Sequence, residues 1–84
     1  MKFIAEIDVM PLRELLDPQG KAVLQGFKNL HLDQIIDARI GKHITLRLEA
    51  DSIESATENV EMACKKLLAN PVIEYYEYKI HPAE

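Results

Sequence analysis

Apolar residues near the N-terminus recur at every second position, which constrains the chain to begin as a strand with one buried face. Within residues 3–9, the apolar side of this alternation comprises Phe3, Ala5, Ile7 and Val9. The other side carries Ile4, Glu6 and Asp8. A period of two is typical of a half-buried β-strand. Because the residue before a proline is biased towards extended geometry, we predict that this strand stops near Met10, just before Pro11.

A helix start follows the strand. Asp17 suits the N-cap, where its carboxylate can accept a hydrogen bond from a first-turn N–H. Pro18 suits the first helical position, because its missing N–H has no partner to lose there. We predict a helix over residues 18–30 with an apolar stripe formed by Ala22, Val23, Phe27 and Leu30. Gly26 lies inside this helix at a cost of about 1 kcal/mol relative to alanine, so we expect a neighbouring backbone to approach it closely.

Two further alternating segments predict a hairpin over residues 35–50. Gly41 and Lys42 provide the turn signal between them. The same face of the two predicted strands would carry Ile36, Ala38, Ile40, Ile44, Leu46 and Leu48.

A second helix is predicted to start at Asp51, with Glu54 three residues later in an arrangement close to a capping box. It should end at Asn70, because Pro71 disfavours helical geometry in the residue before it. Its apolar stripe is formed by Ile53, Ala56, Val60, Ala63, Cys64 and Leu67.

The last predicted strand covers residues 72–80 and is apolar on both sides, which suggests that its second side meets another chain. One side carries Val72, Tyr76, Tyr78 and Ile80, and the other starts with Ile73 and Tyr75. The element order is therefore β-α-β-β-α-β. This order predicts an α+β, ferredoxin-like fold, with an antiparallel sheet and two helices on one face, built as a single domain of residues 1–84.

Composition argues against several classes of partner. The net charge of −4 is unsuited to coating nucleic acid or anionic membranes, which requires clustered lysine and arginine. No apolar run approaches the roughly 20 residues of a membrane span. The single cysteine, Cys64, cannot form an internal disulfide, which fits a reducing compartment. We expect a cytoplasmic protein.

No residue pattern predicts catalysis, a cofactor or a metal site. Cys64 falls in the helical apolar stripe and is interpreted as a buried small hydrophobe rather than a nucleophile. Glu61 is expected to lie on a solvated face, in reach of Lys65 one turn later. The histidines are far apart in sequence, at positions 31, 43 and 81. A binding or assembly module is the resulting prediction.

Three segments, "LDPQG", "DARIGKH" and "LLANPVIEYYEYKI", together resemble the PurS subunit of phosphoribosylformylglycinamidine (FGAM) synthase over essentially the whole chain. The resemblance implies a non-catalytic subunit that bridges a synthetase, PurL, and a glutaminase, PurQ, in purine biosynthesis. It also implies a homodimer or tetramer. In that complex, ATP drives transfer of glutamine-derived ammonia to phosphoribosylformylglycinamide.

Five residues are predicted to lie at contacts with partner subunits: Asp17, Gln19, Gly20, Arg39 and Lys42. Gln19 offers an amide beyond what helix capping requires, and Gly20 permits close approach of a backbone.

Two alternative functions share this element order. One is a small-ligand-binding regulatory module like the ACT domain, which binds amino acids at dimer interfaces. The other is a hydrolase like acylphosphatase, which needs an arginine-bearing anion loop and a water-positioning asparagine. Arg13 lies three residues beyond the first predicted strand, but no asparagine occurs near that strand's end.

Overall fold

The computed structural model describes residues 1–83 and contains three strands and two α-helices, the second extended by a π-helix. In chain order these are β1 (Lys2–Pro11), α1 (Pro18–Asn29), β2 (Lys42–Glu49), α2 (Ile53–Ala63), the π-helix (Cys64–Leu68) and β3 (Glu74–Ala83). The strands form one antiparallel sheet in the order β2-β1-β3. The fold is α+β and ferredoxin-like, as predicted.

The core lies between the central strand and α2. One side of β1 is buried, and it is the side that the alternation predicted: Phe3, Ala5, Ile7 and Val9. From α2 and the π-helix, Val60 and Cys64 pack into this core with no exposed area, and Ala56 of α2 is also fully buried. Burial raises the pKa of the Cys64 thiol, with the nearby Glu61 charge adding to the effect. Cys64 is therefore a core residue, which confirms its predicted placement.

Helix α1 starts as predicted and ends one residue early. The Asp17 side chain caps it, and Pro18 is its first residue. At the other end, the Leu32 N–H donates to the Phe27 carbonyl at 2.9 Å. His31 has a φ of 62°, and its N–H donates to the Lys28 carbonyl, so the helix closes in a Schellman motif.

The predicted strand before β2 is wrong, because residues 36–40 do not enter the sheet. In this segment, backbone N–H groups that would pair with a neighbouring strand donate to side-chain oxygens instead. The Ala38 N–H donates to Asp37 Oδ1 at 2.9 Å, and the Ile40 N–H donates to Asp17 Oδ2 at 2.8 Å. Among residues 1–83, β2 therefore pairs with β1 alone.

The starts of two other elements also differ from the prediction. The N-cap of α2 is Ser52, not Asp51, and Ser52 Oγ accepts a hydrogen bond from the Ser55 N–H at 3.1 Å. Strand β3 begins at Glu74, so Val72 and Ile73 lie in the turn before it.

The later start of β3 changes the character of that strand. Its side away from α2 carries one aromatic residue followed by polar ones, namely Tyr75, Glu77, Lys79 and His81. The prediction of a last strand that is apolar on both sides is therefore wrong.

The described chain is elongated. Its radius of gyration is 16.5 Å and its extents are 51 × 29 × 14 Å, whereas a compact domain of this length has a radius of about 12 Å. Helix α1 buries only Gly20. Large apolar side chains in and after α1 remain exposed, including Val23, Leu30, Leu32 and Ile36. This surface is available to another chain.

The two glycines of α1 differ in a way that substitution can test. A Cβ at Gly20 would collide with the carbonyl oxygen of Ala38, so Gly20→Ala should lower the free energy of unfolding by about 1–3 kcal/mol. A Cβ at Gly26 meets no described atom within 4 Å, so the predicted close approach there is wrong. Gly26→Ala should raise stability by up to about 1 kcal/mol.

Urea unfolding of the parent and both glycine variants, at one protein concentration, measures these effects. Equal destabilisation by the two substitutions would contradict the close packing at Gly20.

Candidate assembly surface

Asp17 joins the start of α1 to the segment that leads into β2. Its Oδ1 accepts a hydrogen bond from the Gly20 N–H at 3.1 Å, and its Oδ2 accepts one from the Ile40 N–H at 2.8 Å. These two backbone donors, the Ile40 N–H first, hold the pKa of the Asp17 carboxyl below its ordinary value. One carboxylate thus serves as a helix cap and as a tie between two segments far apart in sequence.

Arg39 ties the same segment to the end of β1. Its guanidinium donates to the carbonyl oxygens of Pro11, Leu12 and Arg13, at 3.1, 2.6 and 3.3 Å. Planar guanidinium groups present several donors in a fixed geometry, so one side chain can satisfy three carbonyls of an irregular connector. We call the residues held by these two ties, Asp17, Gly20, Arg39 and Ile40, the corner.

The predicted contact residues divide into two groups. Asp17, Gly20 and Arg39 meet in the corner, where they bind their own chain. Gln19 and Lys42 are exposed, Gln19 beside the corner and Lys42 opposite Val9 at the start of β2.

An apolar groove runs alongside the corner. It is lined by Pro11, Leu15, Leu16, Asp17, Pro18, Gln19, Ile40, Ile73 and Glu74. Leu16 is 66% exposed and Ile73 is 47% exposed, although both are large and apolar. The polar side chains of Asp17, Gln19 and Glu74 lie among the apolar ones. An apolar groove with polar neighbours is a surface suited to a protein partner.

A second cluster joins α2 to β3 and was not predicted. The hydroxyl groups of Tyr76 and Tyr78 both donate to the Glu61 carboxylate, and the two rings stack with centroids 6.3 Å apart. These hydrogen bonds lower the pKa of Glu61 and raise the pKa of Tyr76 to about 12. Glu61 is half-buried, so its predicted place on a solvated face is wrong. The sequence contained one indication of this cluster: Tyr76 and Tyr78 alternate with the same spacing as Ile80, which places all three on the side of β3 that faces α2.

The side of the sheet away from α2 is polar. His43 Nδ1 lies 2.7 Å from Asp8 Oδ1, and His81 Nε2 lies 3.5 Å from Glu6 Oε2. Within residues 1–83, no three histidine, cysteine or acidic side chains are arranged to hold a metal ion. The same residues contain no helix of the length and apolar character that a membrane crossing requires.

The sheet packs against α2, and α1 with the residues after it exposes large apolar side chains. A groove lies beside the corner. These features define a small α+β assembly subunit. The comparisons with known proteins agree on its type. The chain belongs to the PurS family, described as phosphoribosylformylglycinamidine (FGAM) synthase, which it matches over residues 4–82.

Relatives include the PurS subunits of Synechocystis and Thermotoga maritima. The first is 43% identical over 70 residues, which are 83% of this chain and 70% of the relative. The second is 41% identical over 76 residues, 87% of this chain and 89% of the relative. The family match does not support the alternative of an ACT-like regulatory module.

Solved structures of the family superpose closely. Bacillus subtilis PurS has a TM-score of 0.84 at 34% identity, covering 95% of this chain and 99% of that one. A chain of the structure of PurLQS from Thermotoga maritima has a TM-score of 0.88 at 34% identity, covering 96% and 99%.

The lowered pKa of Asp17 predicts how its contribution depends on pH. Stabilisation by this carboxylate should be complete above its ordinary pKa of 3.8 and lost as the pH falls through the lower folded-state pKa. Asp17→Asn should therefore destabilise the chain most at neutral pH, and the gap to the parent should narrow in acid. Thermal unfolding of both proteins between neutral pH and pH 3 measures the gap; a gap that does not change with pH would contradict the charged cap.

The raised pKa of Tyr76 predicts a loss of stability in alkali. The folded state keeps the phenol protonated up to about pH 12, whereas the unfolded chain ionises near pH 10. The contribution of Tyr76 is thus present below pH 10 and lost between those values. Tyr76→Phe should flatten this part of the stability profile. Tyr75→Phe is the matched control, because Tyr75 lies on the other side of β3; an equally flattened profile there would argue against the Glu61 cluster.

Proposed function

We propose that this chain is a non-catalytic bridging subunit of an FGAM synthase and that it assembles with a PurL synthetase and a PurQ glutaminase in purine biosynthesis. The observation that carries the proposal is the near-complete overlap with one chain of a PurLQS structure. The family match over residues 4–82 supports it.

A bridging role suits the chemistry of the complex. Ammonia released from glutamine is protonated in water and ceases to be a nucleophile, so the two active sites must be held in a fixed relation. A rigid subunit can do this without contributing a reacting group. The corner supplies rigidity, because Asp17 and Arg39 fasten three segments through five hydrogen bonds to backbone atoms.

We assign the direct contacts with PurL or PurQ to Gln19, Lys42 and the groove beside the corner. Asp17, Gly20 and Arg39 act by holding that surface in shape. The exposed apolar side chains and the elongated form support association with further copies, as a dimer or tetramer. The buried free thiol of Cys64 suits the reducing cytoplasm, where we place the complex.

Co-purification tests the assembly. The chain is mixed with PurL and PurQ subunits from the same source, with glutamine and Mg-ADP present, and the mixture is separated by size. We expect the three to co-elute and glutamine-dependent FGAM formation to fall at least tenfold when the chain is omitted. Full activity without the chain, or turnover by the chain alone, would refute the proposal.

The contact assignment has its own test. The double variant Gln19→Ala, Lys42→Ala should bind PurL and PurQ about tenfold more weakly, with its unfolding curve unchanged because both side chains are exposed. Lys66→Ala is the matched control, an exposed lysine on the π-helix. Binding by the double variant as tight as that of the parent would overturn the assignment of these two residues.

A further inference from the structure

We propose that a pocket at the end of the sheet binds a small molecule that carries a phosphate group and a planar ring, as a nucleoside monophosphate does. The pocket is lined by Met10, Arg13, Asp37, Arg39 and Tyr75, and its volume is about 400 Å³. Small-molecule sites commonly have volumes of about 300–1,000 Å³. The inference concerns this chain alone and does not rest on its proposed bridging role.

The fold brings the lining residues together from three segments. Met10 of β1 and Tyr75 of β3 lie directly opposite each other, on the side of the sheet away from α2. Arg39 comes from the segment before β2 and donates three hydrogen bonds to carbonyls of the connector after β1. Arg13 belongs to that connector, so this tie brings two arginines that are 26 residues apart to the same pocket.

Neither arginine is neutralised by a salt bridge. The ion pairs among residues 1–83 join histidines to Asp8 and Glu6, and neither includes an arginine. Arg39 donates to neutral carbonyls, which leaves further N–H groups of its guanidinium available. Its charge contributes to the lowered pKa of Asp17, but the Asp17 oxygens accept their hydrogen bonds from backbone N–H groups. The pocket therefore keeps a positive charge that a ligand can pair with.

A phosphate group fits this charge. Among the described residues that line the pocket, Asp37 is the only acidic one, so two arginines leave one excess positive charge. This local excess contrasts with the net charge of −4 of the whole chain. A guanidinium pairs with phosphate through two parallel hydrogen bonds, and a phosphate monoester has enough oxygens and charge to engage two such groups. We therefore place the phosphate between Arg13 and Arg39.

The rest of the pocket suits a ring attached to a sugar. Tyr75 and Met10 are half-buried and give the pocket an aromatic and an apolar side chain. Tyrosine rings stack on nucleobases without selecting one base over another. Asp37 uses Oδ1 to accept the Ala38 N–H, and its second oxygen can accept a hydrogen bond from a ribose hydroxyl group. These contacts favour a nucleotide over free phosphate.

Calorimetric titration of the purified chain tests the class of ligand. The probes are adenosine 5′-monophosphate (AMP), ribose 5-phosphate and adenosine, which separate the phosphate from the ring. We expect saturable binding of AMP and at least tenfold weaker binding of the other two. Absence of AMP binding at millimolar concentration overturns the inference. Ribose 5-phosphate binding as tightly as AMP would also overturn it, because the ring would then contribute nothing.

Substitutions locate the site. Arg13→Gln should weaken AMP binding about tenfold and leave the unfolding curve unchanged, because this side chain is exposed. Arg47→Gln is the matched control, an exposed arginine opposite Ile4 near the other end of β1, and it should bind AMP like the parent. Tyr75→Leu should lower the affinity for AMP to that for ribose 5-phosphate. Equal weakening by Arg13→Gln and Arg47→Gln would show general charge attraction and contradict a site.

A carboxylate of a partner protein is the competing occupant. If Arg13→Gln weakens co-elution with PurL and PurQ while the isolated parent binds none of the three probes, the pocket is a protein contact and the inference fails. The two proposals also fail separately. AMP binding by a parent that does not co-elute supports the pocket and overturns the bridging role alone, whereas co-elution without AMP binding overturns the pocket alone.

Discussion

The Asp17 carboxylate is the contact on which the rest of this architecture depends. By accepting hydrogen bonds from both Gly20 and Ile40, it caps the start of α1 and keeps residues 36–40, which precede β2, out of the sheet. Arg39 completes the arrangement by fastening that segment to the carbonyls that follow β1. Two consequences follow together: the groove beside the corner keeps a defined shape, and among residues 1–83 β2 pairs with β1 alone.

Local sequence patterns predicted those parts of the fold that depend only on neighbouring residues of one strand or helix. The buried side of β1, the start of α1 at Pro18 and the core placement of Cys64 follow from local patterns, and all three are confirmed. The strand at 36–40 failed because alternation describes side chains, whereas sheet membership depends on where backbone donors go. Here the Ile40 N–H goes to a carboxylate 23 residues earlier, which no local pattern contains.

The candidate site was predictable to a similar extent. The "LDPQG" segment pointed to a corner with more polar groups than capping needs, and Asp17 and Gly20 meet Arg39 there. What the sequence could not reveal is that these three residues bind their own chain, while Gln19 and Lys42 remain exposed. The Glu61 cluster was missed because its members come from α2 and β3, and only their packing brings a carboxylate to two phenols.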